Sequence, residues 1–264
     1  HVILILVSIT MLVPFLWMIL TAFKTMTEAT SVNPFVIFPS TWRWDSFKEV
    51  IENMDFLHLY LNTLLLILGR VICAVLTATL AGYAFGRLNF KGKNIMFSLV
   101  LFQMMVPGQI FIIPQYQMIA KMGMTDTVFA LVFPGIVSAF GTFFLRQAYM
   151  GIPDEIAEAA YLDGCNRWQT FTKVLFPLTK SSLAALSVFT AVFAYTDLMW
   201  PLIVNTNINS TTLSAGLSSL NGQFSTNYPV LMAGSLFAML PMVILYLIFQ
   251  KQFIEGVAQS GIKG

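Results

Sequence analysis

The chain has 264 residues, of which 57% are hydrophobic and 10% charged, with a mean hydropathy of +0.78 and a formal net charge of +2. A soluble domain carries about 25% charged residues, so this composition excludes a water-soluble enzyme, a disordered protein and a secreted disulfide scaffold. The 14 Lys and Arg against 12 Asp and Glu are too balanced for a nucleic-acid partner, and the two cysteines, Cys73 and Cys165, form no CxxC pair.

A bilayer-spanning helix needs about 20 apolar residues. Hydropathy and the gaps between charges give six such spans, approximately 2–23, 59–86, 94–113, 127–147, 179–200 and 229–250. They are continuous apolar runs rather than alternating ones, which excludes a membrane β-barrel. The expectation is therefore an all-α integral membrane protein, a single domain over 1–264 in contact with the lipid bilayer. The chain enters its first apolar run at His1, which reads as a span lacking its front. A signal peptide would show a basic leader and a small-residue cleavage site.

Orientation follows from the basic residues. Arg87, Lys91, Lys93, Arg146, Arg167, Lys173, Lys180, Lys251 and Lys263 lie in one set of loops, and Lys24, Arg43, Lys48 and Lys121 in the other. The rule that positive loops stay inside makes 87–93, 148–178 and the C-terminus cytoplasmic, and 24–58 and 201–228 external. Arg70 alone lies within a span. A charge at that depth faces a bundle interior or a water-filled path, so Arg70 is either a group on a solute pathway or a brace to a neighbouring carbonyl or hydroxyl. Asp197, near the outer end of the fifth span, is not an evident ion-pair partner for it. Prolines 14, 107, 134 and 241 fall within spans and are expected to kink them, and kinks can line a cavity.

The segment 87–94 passes close to a phosphate-binding loop. Its spacing is one residue too long, and Asn94 stands where Ser or Thr would hold Mg²⁺. No His, Cys and carboxylate cluster has metal-ligand spacing, and no catalytic set is visible. The uncharged outer loop 201–228, with Asn205, Asn207 and Asn209, reads equally as a solvated loop or as a docking surface.

The cytoplasmic segment 151–178 carries the most local information. Pro153, the acidic Asp154 and Glu155, and Gly164 bound a short helix of about three turns. Ile156, Ala159, Ala160 and Asp163 share one face at helical spacing, and the adjacent alanines make a patch that another surface can approach closely. Asn166 is placed to cap a second helix running toward Pro177. The pair either lies on the membrane surface or docks a cytoplasmic partner.

This segment resembles the EAA loop of ABC importer permeases: Glu158-Ala159-Ala160, three residues, Gly164, nine residues, then Val174-Leu175-Phe176-Pro177. Val174 and Phe176 replace the usual isoleucine and leucine, apolar for apolar. Asn62-Thr63, the run Ala81-Gly82-Tyr83-Ala84-Phe85-Gly86-Arg87, and Tyr195-Thr196-Asp197-Leu198-Met199-Trp200-Pro201-Leu202, where the family more often has Trp-Asn-Glu before the Pro-Leu, are similar to the carbohydrate-uptake, maltose-type (MalG-like) branch. The ending from Gly256 to Gly264 is similar too, and the likeness covers nearly the whole chain.

The resemblance implies a type I ABC importer permease fold in a bacterial cytoplasmic (inner) membrane. It implies a second related permease, two ATP-binding subunits carrying the ATP and Mg²⁺, an extracytoplasmic sugar-binding protein, and a sugar as substrate. No cofactor is expected on this chain. Glu158, Ala159, Ala160, Asp163 and Gly164 would form the joint to an ATPase, and Lys263 and Gly264 would reach the ATPase interface. Asn205, Asn207 and Asn209 would meet the binding protein. A polyol phosphate as solute, an ion-coupled secondary transporter and a membrane-embedded enzyme are the competing readings.

Overall fold

The structure is a computed structural model that describes residues 1–222 and 226–261. It is helical throughout. In chain order the helices are α1 (Val2–Ala22), α2 (Met26–Thr30), α3 (Asp45–Asn53), α4 (Phe56–Arg87), α5 (Lys93–Met105), α6 (Ile112–Lys121) and α7 (Val128–Val132). They are followed by α8 (Ala139–Met150), α9 (Asp154–Leu162), α10 (Arg167–Gln169), α11 (Phe176–Leu178), α12 (Lys180–Thr196), α13 (Met199–Val204), α14 (Leu213–Ser218) and α15 (Tyr228–Gly261).

Three helical stretches are long and apolar enough to cross a bilayer by themselves: Ile3–Ala22, Phe56–Arg87 and Tyr228–Lys251. Three bent pairs, Lys93–Met105 with Gly108–Lys121 (99°), Val128–Gly135 with Ala139–Met150 (48°), and Arg167–Leu178 with Lys180–Thr196 (71°), bring the number to the expected six when each pair is counted as one span. The third span thus departs from the sequence reading. Its helix stops at Met105 because Pro107 cannot donate to the ladder, and residues 112–121, read as mostly loop, form α6. Pro134 likewise sits in a 3₁₀ turn, Phe133–Gly135, that interrupts the fourth span. Pro14 and Pro241 lie inside helices, and α15 instead loses helical geometry at Phe249.

The chain divides into two compact units, residues 1–63 with 206–245 and residues 64–205 with 246–264. In the first, Ile3–Leu20 of α1 are exposed or half-buried, as suits a helix that is apolar on every side and meets lipid or another subunit. Beyond it, Thr25 and Glu28 form a capping box that starts α2. The second Glu28 oxygen accepts from Ser40 N at 3.0 Å, and hydrogen bonds from Ser40 and Thr25 hold this carboxyl down at about 2. Asn62 Nδ2 donates to the carbonyls of Asn209 and Thr211 at 2.8 and 3.0 Å, and Leu213 N donates to Thr63 Oγ1 at 2.9 Å. The Asn62-Thr63 pair therefore pins the outer loop. A Cβ on Gly216 would lie 2.8 Å from Leu59 Cδ2, so α14 packs directly on α4.

In the second unit α4 packs along α8. A Cβ on Gly82 would lie 2.9 Å from Arg146 N, and one on Gly86 3.2 Å from Tyr149 Cβ, so this four-residue glycine spacing lets two backbones approach. One buried cluster gathers Tyr83, Leu145, Tyr149, Phe171, Leu175 and Leu186. A second gathers Leu66, Ile119, Leu131, Ala194, Trp200 and Val204.

Candidate functional site

The segment 151–178 folds as its punctuation requires. Pro153 is the N-cap of α9, with Asp154 and Glu155 in the first turn. At the other end Gly164 adopts φ +83°, Gly164 N donates to Tyr161 O at 3.0 Å and Cys165 N to Ala160 O at 2.9 Å. This paired closure is the Schellman motif, and its left-handed residue is the one place in the loop where a side chain would be strained. Asn166 and Gln169 then cap the next helix reciprocally at 2.9 Å each. That helix continues through a π-helical turn, Thr170–Leu175, on which α9 packs.

The loop is clamped to span two. Arg87 pairs with Asp154, its guanidinium also donates to Ile152 O, and its Nε donates to Tyr149 O at 2.8 Å. Tyr83 OH donates to Arg167 O at 3.3 Å, and the Tyr83 and Phe171 rings lie 4.6 Å apart. Sequence reading used Arg87 as a marker of sidedness and as the end of a family-like run, not as a clamp. The signal missed was its position at the C-terminal end of a span, four residues beyond Tyr83, where both side chains reach the loop.

The exposed face of α9 differs from the expected one. Ala160 is 6% exposed and turned into the chain, so it is unavailable to a partner. Glu155, Glu158, Ala159 and Leu162 form the open stripe at i, i+3, i+4 and i+7, and Leu162 is 89% exposed. Asp163 and Gly164 are exposed at the helix end. Hence the two alanines divide their labour, Ala160 seating the helix and Ala159 lying open. Of the outer-loop asparagines, Asn205 is 4% exposed and cannot meet a docking protein, whereas Asn207 and Asn209 are exposed. Lys263 and Gly264 lie outside the described residues.

The intramembrane charge is also resolved differently. Pro134 has no N–H, so the Ala130 carbonyl lacks its helical donor, and Trp200 Nε1 supplies one at 2.8 Å. Arg70 Nε and Nη2 donate to Leu131 O at 3.1 and 2.8 Å, and Thr77 Oγ1 donates to Ile136 O at 2.9 Å. Arg70 is thus the brace to a neighbouring carbonyl. It is an ion-pair member as well, with Nη1 2.8 Å from Asp197 Oδ2, which corrects the expectation that Asp197 stands too near the outer end to reach it. The helix α12 ends at Thr196, and the extended Asp197 that follows places its carboxylate against Arg70. Among the described residues no group of His, Cys, Asp and Glu could hold a metal ion.

Residues 74–259 match the family described as binding-protein-dependent transport system inner membrane component. The chain belongs to this family. It is a multi-pass ABC importer permease, and among its relatives is the arabinooligosaccharides transport system permease protein AraQ of Halalkalibacterium halodurans. That protein is 34% identical over 95% of this chain and 91% of its own length. The sn-glycerol-3-phosphate transport system permease protein UgpE of Shigella flexneri is 28% identical over 88% of this chain and 86% of its own. A bacterial ABC transporter involved in the import of the acidic polysaccharide alginate has the same fold, with a TM-score of 0.80 at 21% identity, over 96% of this chain and 94% of that one.

Proposed function

We propose that this permease imports a sugar or oligosaccharide across a bacterial inner membrane, in a complex with a second permease, two ATP-binding subunits and an external binding protein. The observation that carries the coupling is the open face of α9. A leucine 89% exposed beside Glu155 and Glu158, on a helix clamped by Arg87, suits a protein cleft with an apolar floor and a polar rim. The likeness to AraQ supports a saccharide as the solute.

ATP binding would close the ATPase pair, and α9 would carry that movement to the spans as a rigid body, since its start is tied to span two through Arg87 and the helix after it through Tyr83. The work is supplied by the difference in nucleotide affinity between inward- and outward-open states. An ion-coupled transporter needs an intramembrane carboxylate free to exchange a proton or sodium. Asp197 is held by Arg70 instead.

Mild affinity purification from membranes, followed by mass spectrometry, tests the assembly. A second permease and an ATP-binding protein should copurify, and Ala159→Trp should remove the ATPase while leaving the companion permease. A chain that purifies alone, or an ATPase retained on the Trp variant, would sink the coupling assignment.

A further inference from the structure

In the second unit the breaks of two spans and the end of a third meet. The third breaks at Val106–Gly108, the fourth at Pro134, and the fifth ends where Asp197 and Leu198 leave the helix. All three line one cavity of about 420 Å³, a volume in the range of small-molecule sites. Irregular backbone at membrane depth is tolerated where protein covers it or where it borders a water-filled space, and solutes are commonly bound at such broken helices.

The lining is chemically selective. Gln109, Gln115, Thr196 and Asp197 contribute polar side chains, and Trp200, fixed by its bond to Ala130 O, closes one wall. Thr196 spends its hydroxyl proton on Val192 O at 2.9 Å. Asp197 accepts from Arg70 on Oδ2 and from Trp200 N on Oδ1 at 3.4 Å. A carboxylate has about four acceptor positions, so it retains capacity for further donors. Each glutamine amide offers both donors and an acceptor, which matches adjacent hydroxyls on a ring. No Lys or Arg is among the described lining residues, and the Arg70 donors are directed at Leu131 O and Asp197.

We propose that this cavity is a solute subsite for a neutral sugar ring, with Gln109, Gln115 and Asp197 as its polar ligands, and that it disfavours anionic solutes such as polyol phosphates. The inference rests on the importer reading above. An uncharged polyol gains hydrogen bonds from two amides and a carboxylate. A phosphate would meet a carboxylate already paired with Arg70 and no Lys or Arg among the described lining residues, so it would lose its hydration without a free cation to compensate.

The complete transporter in proteoliposomes tests this, with arabinotriose and sn-glycerol 3-phosphate as labelled probes, each presented with a binding protein that captures it. The readouts are solute imported per ATP hydrolysed and stimulation of ATPase activity by loaded binding protein. Wild type should import arabinotriose and not glycerol 3-phosphate. Gln109→Ala and Gln115→Ala should each cut the sugar-to-ATP ratio by about tenfold, the scale of one lost hydrogen bond, with ATPase stimulation retained. Asp197→Asn, if it assembles, should lower the same ratio, and the glutamine variants decide the matter if it does not. Unchanged coupling in the Gln109→Ala/Gln115→Ala double variant overturns the subsite and leaves the importer intact. Import of glycerol 3-phosphate by wild type overturns the neutral-solute assignment, and a wild-type complex without any ATP-driven import overturns the importer reading itself.

Discussion

Pro134 removes one backbone donor, that of the Ala130 carbonyl, and side chains serve the carbonyls around the break. Trp200, Arg70 and Thr77 cap the carbonyls of Ala130, Leu131 and Ile136, groups that lipid cannot satisfy. Gly135 makes the Arg70 contact possible, since a Cβ there would lie 2.6 Å from Arg70 Cγ and 2.7 Å from Cδ. Gly135→Ala should therefore displace the guanidinium from Leu131 O and Asp197 and destabilise the protein by about 1–3 kcal/mol, the usual cost of overpacking. The melting temperature of the purified complex measures this. Gly151→Ala, where the added Cβ makes ordinary contact at 3.5 Å, should melt as wild type does. Equal melting of the two variants would show that the Arg70 brace does not depend on the glycine.

At the scale of the element, the coupling helix owes its exposed leucine to its C-terminal closure. Leu162 lies two residues before Gly164, whose φ of +83° lets the chain turn back and Cys165 N reach Ala160 O. Gly164→Val forces a β-branched residue into left-handed geometry at about 1–2 kcal/mol. The last turn of α9 should fray and Leu162 lose its fixed place. The expected result is a several-fold weaker hold on the ATPase in copurification, with thermal melting of the spans close to wild type. Full retention of the ATPase would mean that Leu162 is not part of the joint. The boundaries of α9 and its following cap were legible because Pro, Asp, Glu, Gly and Asn act on the residues next to them. Which alanine faces outward was not, because a helical wheel orders positions around an axis and only packing against the π-helical turn says which side is covered.

Across the whole molecule, the proposed orientation places the coupling loop in the cytoplasm and the Asn62-pinned outer loop outside. Cys165 is half-exposed in the coupling loop, and Cys73 lies within α4, so a Cys73→Ser background leaves a single reporter. In intact cells Cys165 should react with a membrane-permeant maleimide and resist an impermeant one, and in inside-out vesicles stripped of peripheral proteins it should react with both. Labelling of intact cells by the impermeant reagent would invert the orientation.

The apolar runs and the family motif were legible in the sequence alone, since each depends on a local property: about twenty apolar residues in a row, and the spacing of small residues. The course of spans three to five was decided by tertiary structure. Pro107 and Pro134 announce that a helix can break, as Pro14 and Pro241 also do, yet the latter two sit inside continuous helix. The break persists where side chains distant in sequence, such as Trp200 and Arg70, satisfy the exposed carbonyls. Those partners are brought together only by folding, which is also why the Arg70–Asp197 pair and the cavity beside it could not be read from the order of residues.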